Sequence, residues 1–167
     1  MPVNVLVRYG RIPEVAKVVA ERHRDRGEKV VVRTHRGLEL ATVLETLKAG
    51  PKQDDPDSDF VVVREATAQD QFEFTGLATR AGDEFDAWVQ RIEEWKLDLQ
   101  LVDLEWTLDR EKLILYVLNE RGPECTRLAI QAAAAGLGIV EVQPVSATGL
   151  TPKEKTGGGC GDCGCGH

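Results

Sequence analysis

The sequence predicts an α+β fold in which a small N-terminal antiparallel β module is followed by a ferredoxin-like split βαβ domain. Short β-branched runs dominate residues 1–50, whereas residues 60–145 follow the order strand, helix, strand, strand, helix, strand (βαββαβ). Between them, residues 51–59 (PKQDDPDSD) hold two prolines and four aspartates, a composition typical of an extended linker. Residues 146–167 form a predicted flexible tail rich in glycine and cysteine.

Within residues 1–50 the pattern predicts strands. VNVLVRYG is the first, and KVVVRTHRGLELATVLE predicts a hairpin that turns at Gly37. The apolar pattern of that hairpin continues after the turn at Leu38, Leu40 and Thr42. Residues 13–24 fit either a strand or a helix, because their valines have helical spacing but are β-branched. We expect these segments to form a small, curled antiparallel sheet.

Residues 60–145 contain the clearest element signals. FVVVREA is a predicted strand, and Thr67 with Asp70 makes a capping box that begins a long helix. LDLQLVDLEWTL and KLILYVL predict two further strands, Pro123 begins a second helix that Gly136 ends, and GIVEVQPV is the last strand. The apolar stripe of the first helix is Phe74, Ala78, Ala81, Phe85, Trp88, Ile92 and Trp95. We therefore expect a four-stranded antiparallel sheet with both helices on one face, burying Trp88 and Trp95.

Composition limits the class of protein. The chain has 167 residues, is 42% hydrophobic and 29% charged, and has a net charge of −7, which argues against general nucleic-acid affinity. Residues 1–48 carry ten Lys/Arg against six Asp/Glu, so the acidic excess lies in the remainder. No apolar run approaches the roughly 20 residues that span a bilayer, and the N-terminus lacks the pattern of a signal peptide. We expect a cytoplasmic protein without membrane contact and, in the absence of any catalytic motif, not an enzyme.

A cluster of basic residues surrounds the predicted hairpin, and it suggests contact with RNA phosphates or with an acidic partner. Aromatic residues for base stacking are scarce nearby, so a solvated basic surface is the alternative. The histidines of this region, His23 and His35, are expected to be exposed. The cluster comprises Arg22, Arg24, Arg26, Lys29, Arg33 and Arg36.

The tail ends in TGGGCGDCGCGH, which places three thiols within six residues. Cys160 and Cys163 have the C-x-x-C spacing that lets two sulfurs reach one metal, and Cys165 adds a third ligand. His167, the terminal carboxylate or a partner's side chain completes the set, and soft thiolates suit either zinc or an iron–sulfur cluster. A disordered tail and a thiol redox pair are the alternatives. Cys125, in the second predicted helix, is expected to be a buried thiol and not a ligand.

Two stretches resemble a known family. VVVRTHRGLELATVLE is similar to an "ERGLELGEVV" hairpin, and LDLQLVDLEWTLDREKLILYVLNE is similar to "MKLVDVEYTFDGSKLIFYFTA", both from the PSP-one C-terminal domain family of YaaT/RicT-type bacterial regulators. The resemblance implies a cytoplasmic, non-enzymatic adaptor that works with other small regulatory proteins. It also implies a link to RNA processing or developmental regulation, and iron–sulfur ligation by cysteines after the last strand. The family's "GGxGxCGRxxCC" segment differs from the tail here in cysteine spacing and in its arginine.

Overall fold

The structure is a computed structural model that describes residues 1–50, 59–118, 122–146 and 149–150. The predicted linker and most of the predicted tail lie outside the described residues. Nine strands and two helices follow one another in the described part of the chain. They are β1 (Val3–Tyr9), β2 (Glu14–Ala20), β3 (Lys29–Thr34), β4 (Gly37–Thr46), β5 (Val61–Glu65), α1 (Ala68–Glu94), β6 (Gln100–Trp106), β7 (Lys112–Leu118), α2 (Pro123–Ala134), β8 (Ile139–Ser146) and β9 (Gly149–Leu150).

The first five strands close into a barrel in the order β1-β2-β5-β3-β4. All neighbours are antiparallel except β2 and β5, which run parallel. The segment that fitted a strand or a helix is strand β2, and the predicted hairpin is the β3–β4 pair. Alternate side chains of these strands fill the barrel with valine, alanine and one tyrosine, Tyr9. The β-rich part is therefore a closed barrel, and its fifth strand, β5, lies outside the predicted module of residues 1–50.

The ferredoxin-like prediction is wrong in its first strand. β5 does not join the later strands, since it pairs with β3 from Val30–Glu65 to Arg33–Val61 and with β2 at Val19–Val61. Without β5, strands β2 and β3 would be open edges with unpaired backbone groups. Pairing these edges is the physical reason why β5 joins the barrel. The second sheet consequently has the order β6-β7-β8-β9 and is mixed, because β7 and β8 are parallel.

Both helices cover one face of the second sheet, as expected. Leu113, Leu115 and Val117 of β7 point to this face and pack with side chains of α1 and α2. Trp88 is 3% exposed in this core, and Trp95 packs against it while half-buried. The opposite face of the sheet carries Ile114 and Tyr116, which are also buried. The barrel is what covers them.

The ends of the helices confirm the sequence signals. Thr67 and Asp70 form the capping box of α1, and Pro123 occupies the first turn of α2, which ends just before Gly136 at φ +73°.

The buried stripe of α1 differs near its start, since Leu77 is buried and Phe74 is 42% exposed. Leu77 packs with Val31 of the barrel and with Leu108, which follows β6. Neither helix of the described residues has the length and apolar character needed to cross a bilayer.

Candidate functional site

The mouth of the barrel rests on the face of the second sheet that the helices leave uncovered. We call this contact the seam and define it by Tyr9, Arg36 and Glu39 of the barrel and by Glu105 and Tyr116 of the sheet. Every second side chain of β4 points into the barrel. Glu39 belongs to this set together with Ala41 and Val43, both buried, and so points into the barrel mouth. Glu105 and Tyr116 lie on β6 and β7 directly beneath. The seam thus places charged groups where two hydrophobic cores meet.

Arg36 is the centre of the seam. Its side chain is 4% exposed, and its Nη2 lies 2.9 Å from Glu39 Oε1 and donates a further bond to Glu105. Nη1 donates to the Tyr116 hydroxyl at 3.1 Å, and that hydroxyl donates in turn to Glu105. The guanidinium carbon also lies 5.6 Å from the centre of the Tyr9 ring. One arginine therefore connects the two modules through four side chains.

Burial and neighbouring charges control protonation at the seam. Burial raises the pKa of Glu39 to about 8; Arg36 opposes this rise, while Glu105, Glu14 and Glu141 add to it. Burial opposes the charge on Arg36, but Glu39 and Glu105 outweigh it and raise the pKa of the guanidinium. Burial raises the pKa of Tyr116, and Glu105 adds to the effect. The seam therefore holds two carboxyls against one arginine, and burial favours the neutral form of Glu39.

Two hydrogen bonds donated by backbone amides connect the β3–β4 turn to the β6–β7 turn next to the seam. The Leu108 amide donates to the Leu38 carbonyl at 2.8 Å, and the Leu38 amide donates to Asp109 at 3.1 Å. Asp109 also accepts from the Thr107 hydroxyl. Gly37 sits against it at φ +132°, where a Cβ would lie 2.9 Å from Asp109 Oδ2. Only glycine fits this position without strain.

Two clefts open beside the seam. The first has a volume of about 430 Å³ and lies between the β3–β4 turn and the β6–β7 turn, with Arg33 and His35 in its lining. The second has a volume of about 330 Å³ and lies between β8 and α2. Both are lined by Lys112 and by Ile139, whose side chain is 65% exposed. The shared residues make the two clefts neighbours on one surface.

The predicted basic cluster does not form one exposed surface. Arg36 belongs to the seam, and Arg24 is 8% exposed and bonded to Glu28 at 2.6 Å, which corrects the expectation for both. Arg22 lies 3.6 Å from Glu65 and 3.8 Å from Glu28. The remaining members are exposed on the barrel, and these are Arg26, Lys29 and Arg33. His23 and His35 are both exposed as expected, and the His35 ring is stacked on Phe60 with ring centres 5.7 Å apart.

The predicted metal ligands Cys160, Cys163, Cys165 and His167 lie outside the described residues. Cys125 is a buried free thiol on α2, as predicted. Among residues 1–50, 59–118, 122–146 and 149–150, no three His, Cys, Asp or Glu side chains are grouped so as to hold a metal. The cysteine tail therefore remains the metal site that the sequence predicts.

Sequence reasoning missed Glu39, Glu105 and Tyr116 as members of a site. One signal was present in β4, where every second side chain lies on the same face. Glu39 shares the buried face with Ala41 and Val43, whereas Leu38 and Leu40 lie on the opposite face. A glutamate in phase with buried residues indicates a partnered charge, because an unpaired buried carboxylate is costly. Glu105 and Tyr116 carry no comparable signal, since their partner lies about 70 or more residues away along the chain.

Comparison with known proteins gives one significant similarity. The chain is 28% identical over 142 residues to the protein named stage 0 sporulation protein YaaT of Bacillus subtilis. The alignment covers 85% of this chain and 50% of that protein, so the chain spans about half the length of the curated relative it matches. No family model matches the chain. No solved structure matches it either. The chain is thus similar, at a distance, to a protein named for stage 0 of sporulation.

Proposed function

We propose that this chain is a cytoplasmic, non-enzymatic regulatory adaptor that recruits other small regulatory proteins. The observation that carries the proposal is the similarity to YaaT, which extends over 142 residues and so covers both the barrel and the second sheet. The resemblance of the hairpin and of the β6–β7 segment to YaaT/RicT-type regulators supports the same role. Developmental regulation and RNA processing are the processes in which such an adaptor would act.

The form of the molecule suits an adaptor. The seam joins barrel and sheet through buried polar contacts, so the closed molecule presents the outer surfaces of both modules together. Exposed apolar side chains stand on several elements, among them Phe72 of α1, which is 75% exposed, and Ile130 of α2, which is 62% exposed. We propose that partners pack against exposed apolar side chains of this kind.

The tail gives the adaptor its metal-binding part in this proposal. Cys160, Cys163 and Cys165 provide three soft donors, and His167 or a partner's side chain provides the fourth. This donor set fits zinc or an iron–sulfur cluster, and the bound group would order a segment whose glycines leave little to bury. A partner that supplies the fourth ligand would make complex formation dependent on metal.

Complementation tests the regulatory role. Bacillus subtilis lacking YaaT is given either this chain or the half of YaaT that aligns with it, and heat-resistant spores are counted. We expect both to restore sporulation, because the shared half carries the adaptor surfaces. Restoration by the matched half of YaaT but not by this chain would contradict the proposal.

RNA contact through the barrel is the second candidate, and the exposure of Arg26, Lys29 and Arg33 is the observation that favours it. We expect generic RNA to bind weakly and in a salt-dependent manner, because the net charge is −7. A gel-shift assay at two salt concentrations measures this, with Arg26→Glu/Arg33→Glu as the test variant and Glu45→Gln as the control. Binding that persists unchanged in the double variant would exclude this surface.

A further inference from the structure

The seam contains more carboxylates than its arginine can neutralise. Arg36 contacts both Glu39 and Glu105, while Glu14 and Glu141 act on Glu39 from β2 and β8. The titratable and charged groups that face Glu39 come from six elements of the fold. They are Tyr9 of β1, Glu14 of β2, Arg36 of the β3–β4 turn, Glu105 of β6, Tyr116 of β7 and Glu141 of β8; Lys112 of β7 lies 3.4 Å from Glu141 and pairs with that carboxylate.

Glu39 is the member of this group with the poorest compensation. Its side chain is 6% exposed, and its Oε2 is buried without a hydrogen-bond partner among the described residues. Glu105, by contrast, accepts bonds from Arg36, from Tyr116 and from the Arg11 amide. A buried carboxylate that lacks partners is far more costly than a neutral carboxyl in the same place. Arg36 Nη2 contacts one oxygen of Glu39 and also donates to Glu105, so the unpartnered second oxygen of Glu39 is accommodated best in the neutral acid.

We propose that a proton on Glu39 keeps the seam closed and that its loss loosens the contact between barrel and sheet. Glu39 lies in the barrel mouth, directly between the barrel core and the face of the sheet that carries Tyr116. Ionisation therefore places an uncompensated negative charge between the two modules, and opening the seam to water relieves it. The fold in this way contains a pH-sensitive joint between its two halves, independent of the adaptor role proposed above.

The direction and range of the pH effect follow from linkage. The pKa of Glu39 is raised from its ordinary value of 4.5 to about 8 in the closed molecule. Between pH 4.5 and about 8, Glu39 holds its proton more often in the closed seam than in the open one. The free energy that favours closure is therefore largest in acid and decreases as the pH rises to about 8. Above pH 8 the carboxyl is ionised in both states, and the effect levels off. The sensitive range includes neutral pH.

Hydrogen exchange measures opening of the seam directly. The Leu108 amide is protected by its bond to Leu38 across the modules, whereas the Val43 amide bonds to Glu28 within the barrel. After correction for intrinsic exchange, we expect protection of Leu108 to fall approaching tenfold per pH unit between about pH 5.5 and 7.5. Leu108 should also exchange faster than Val43 at each pH, which shows that the seam opens while the barrel stays folded.

Two variants make the test specific. Glu39→Gln, which keeps a neutral side chain, should remove most of the pH dependence at Leu108, while the exposed Glu45→Gln on the same strand should retain it. His35 lies 3.8 Å from Glu141 at the edge of the seam, and its effect is common to both variants. Unchanged protection of wild-type Leu108 across the range, or an equal fall in Glu39→Gln, would overturn the proposal.

A second measurement covers the case in which Glu39→Gln fails to fold. The carboxyl carbon of Glu39 is followed by NMR in the wild-type protein, with the exposed Glu45 carboxyl as the reference. We expect the Glu39 resonance to titrate at about pH 8, well above the ordinary range of a glutamate carboxyl. Coincident titration of the two carboxyls would overturn the proposal as firmly as the exchange result.

Discussion

Replacing Arg36 by methionine removes the cation at the centre of the seam while keeping a long side chain. Arg36, Glu39 and Glu105 have side chains that are 4%, 6% and 12% exposed, so water cannot replace the lost partner. Removing one member of a buried ion pair costs about 3–5 kcal/mol of unfolding free energy. We expect a value near the lower end, about 3 kcal/mol, because Glu39 relieves part of the cost by remaining protonated.

Urea unfolding followed by tryptophan fluorescence measures this loss. With a slope of about 2 kcal/mol per molar urea, a cost of 3 kcal/mol lowers the midpoint by about 1.5 M. Arg33→Met is the matched control, since Arg33 is exposed on the same hairpin and should shift stability by no more than about 0.5 kcal/mol. Arg36→Met/Glu105→Leu should recover part of the loss, because no unpaired carboxylate is then left at that position. Equal midpoints for Arg36→Met and Arg33→Met would refute the assignment of the seam as a buried ionic contact.

Two further predictions concern the local structures that position the seam and the long helix. Gly37→Ala should cost about 1–3 kcal/mol, since φ is +132° and the new Cβ meets Asp109, whereas Gly76→Ala in α1 has open space and should gain about 0.5–1 kcal/mol. Thr67→Ala should cost about 1 kcal/mol by removing the capping box, and the exposed Thr75→Ala should change stability by less. Both pairs are compared by thermal or urea unfolding; an equal effect within either pair would contradict the structural reason given.

Features that depend on neighbouring residues were predictable from the sequence. The capping box at Thr67, the helix start at Pro123 and the hairpin turn at Gly37 are all present, because each is determined within a few residues. The strand at residues 61–65 was also predicted correctly, but its partners were not. Its local pattern fits either sheet, and only closure of the barrel decides between them.

The seam could not be derived from the sequence for the same reason. Arg36 follows a run of basic residues and therefore suggested a surface, yet the partners that bury it, Glu105 and Tyr116, lie on the other module. The sequence pattern also predicts that Leu38 and Leu40 lie on the buried face of the hairpin, whereas in the structure Glu39 points into the barrel. The pairing of Thr34 with Gly37 sets this phase, and a shift of one residue moves every side chain to the opposite face.

Metal analysis tests the central claim, that a regulatory scaffold carries a metal-binding cysteine tail, most directly. The intact chain and a chain truncated after Lys155 are purified anaerobically, and iron, zinc and sulfide are quantified for each. We predict about one zinc or one cluster per intact chain through Cys160, Cys163 and Cys165, and none in the truncated chain. The truncated chain should unfold at nearly the same urea concentration, since every residue in the two cores of the described part of the chain precedes Lys155. Equal metal content in the two chains, or none in both even with a partner present, would contradict the account.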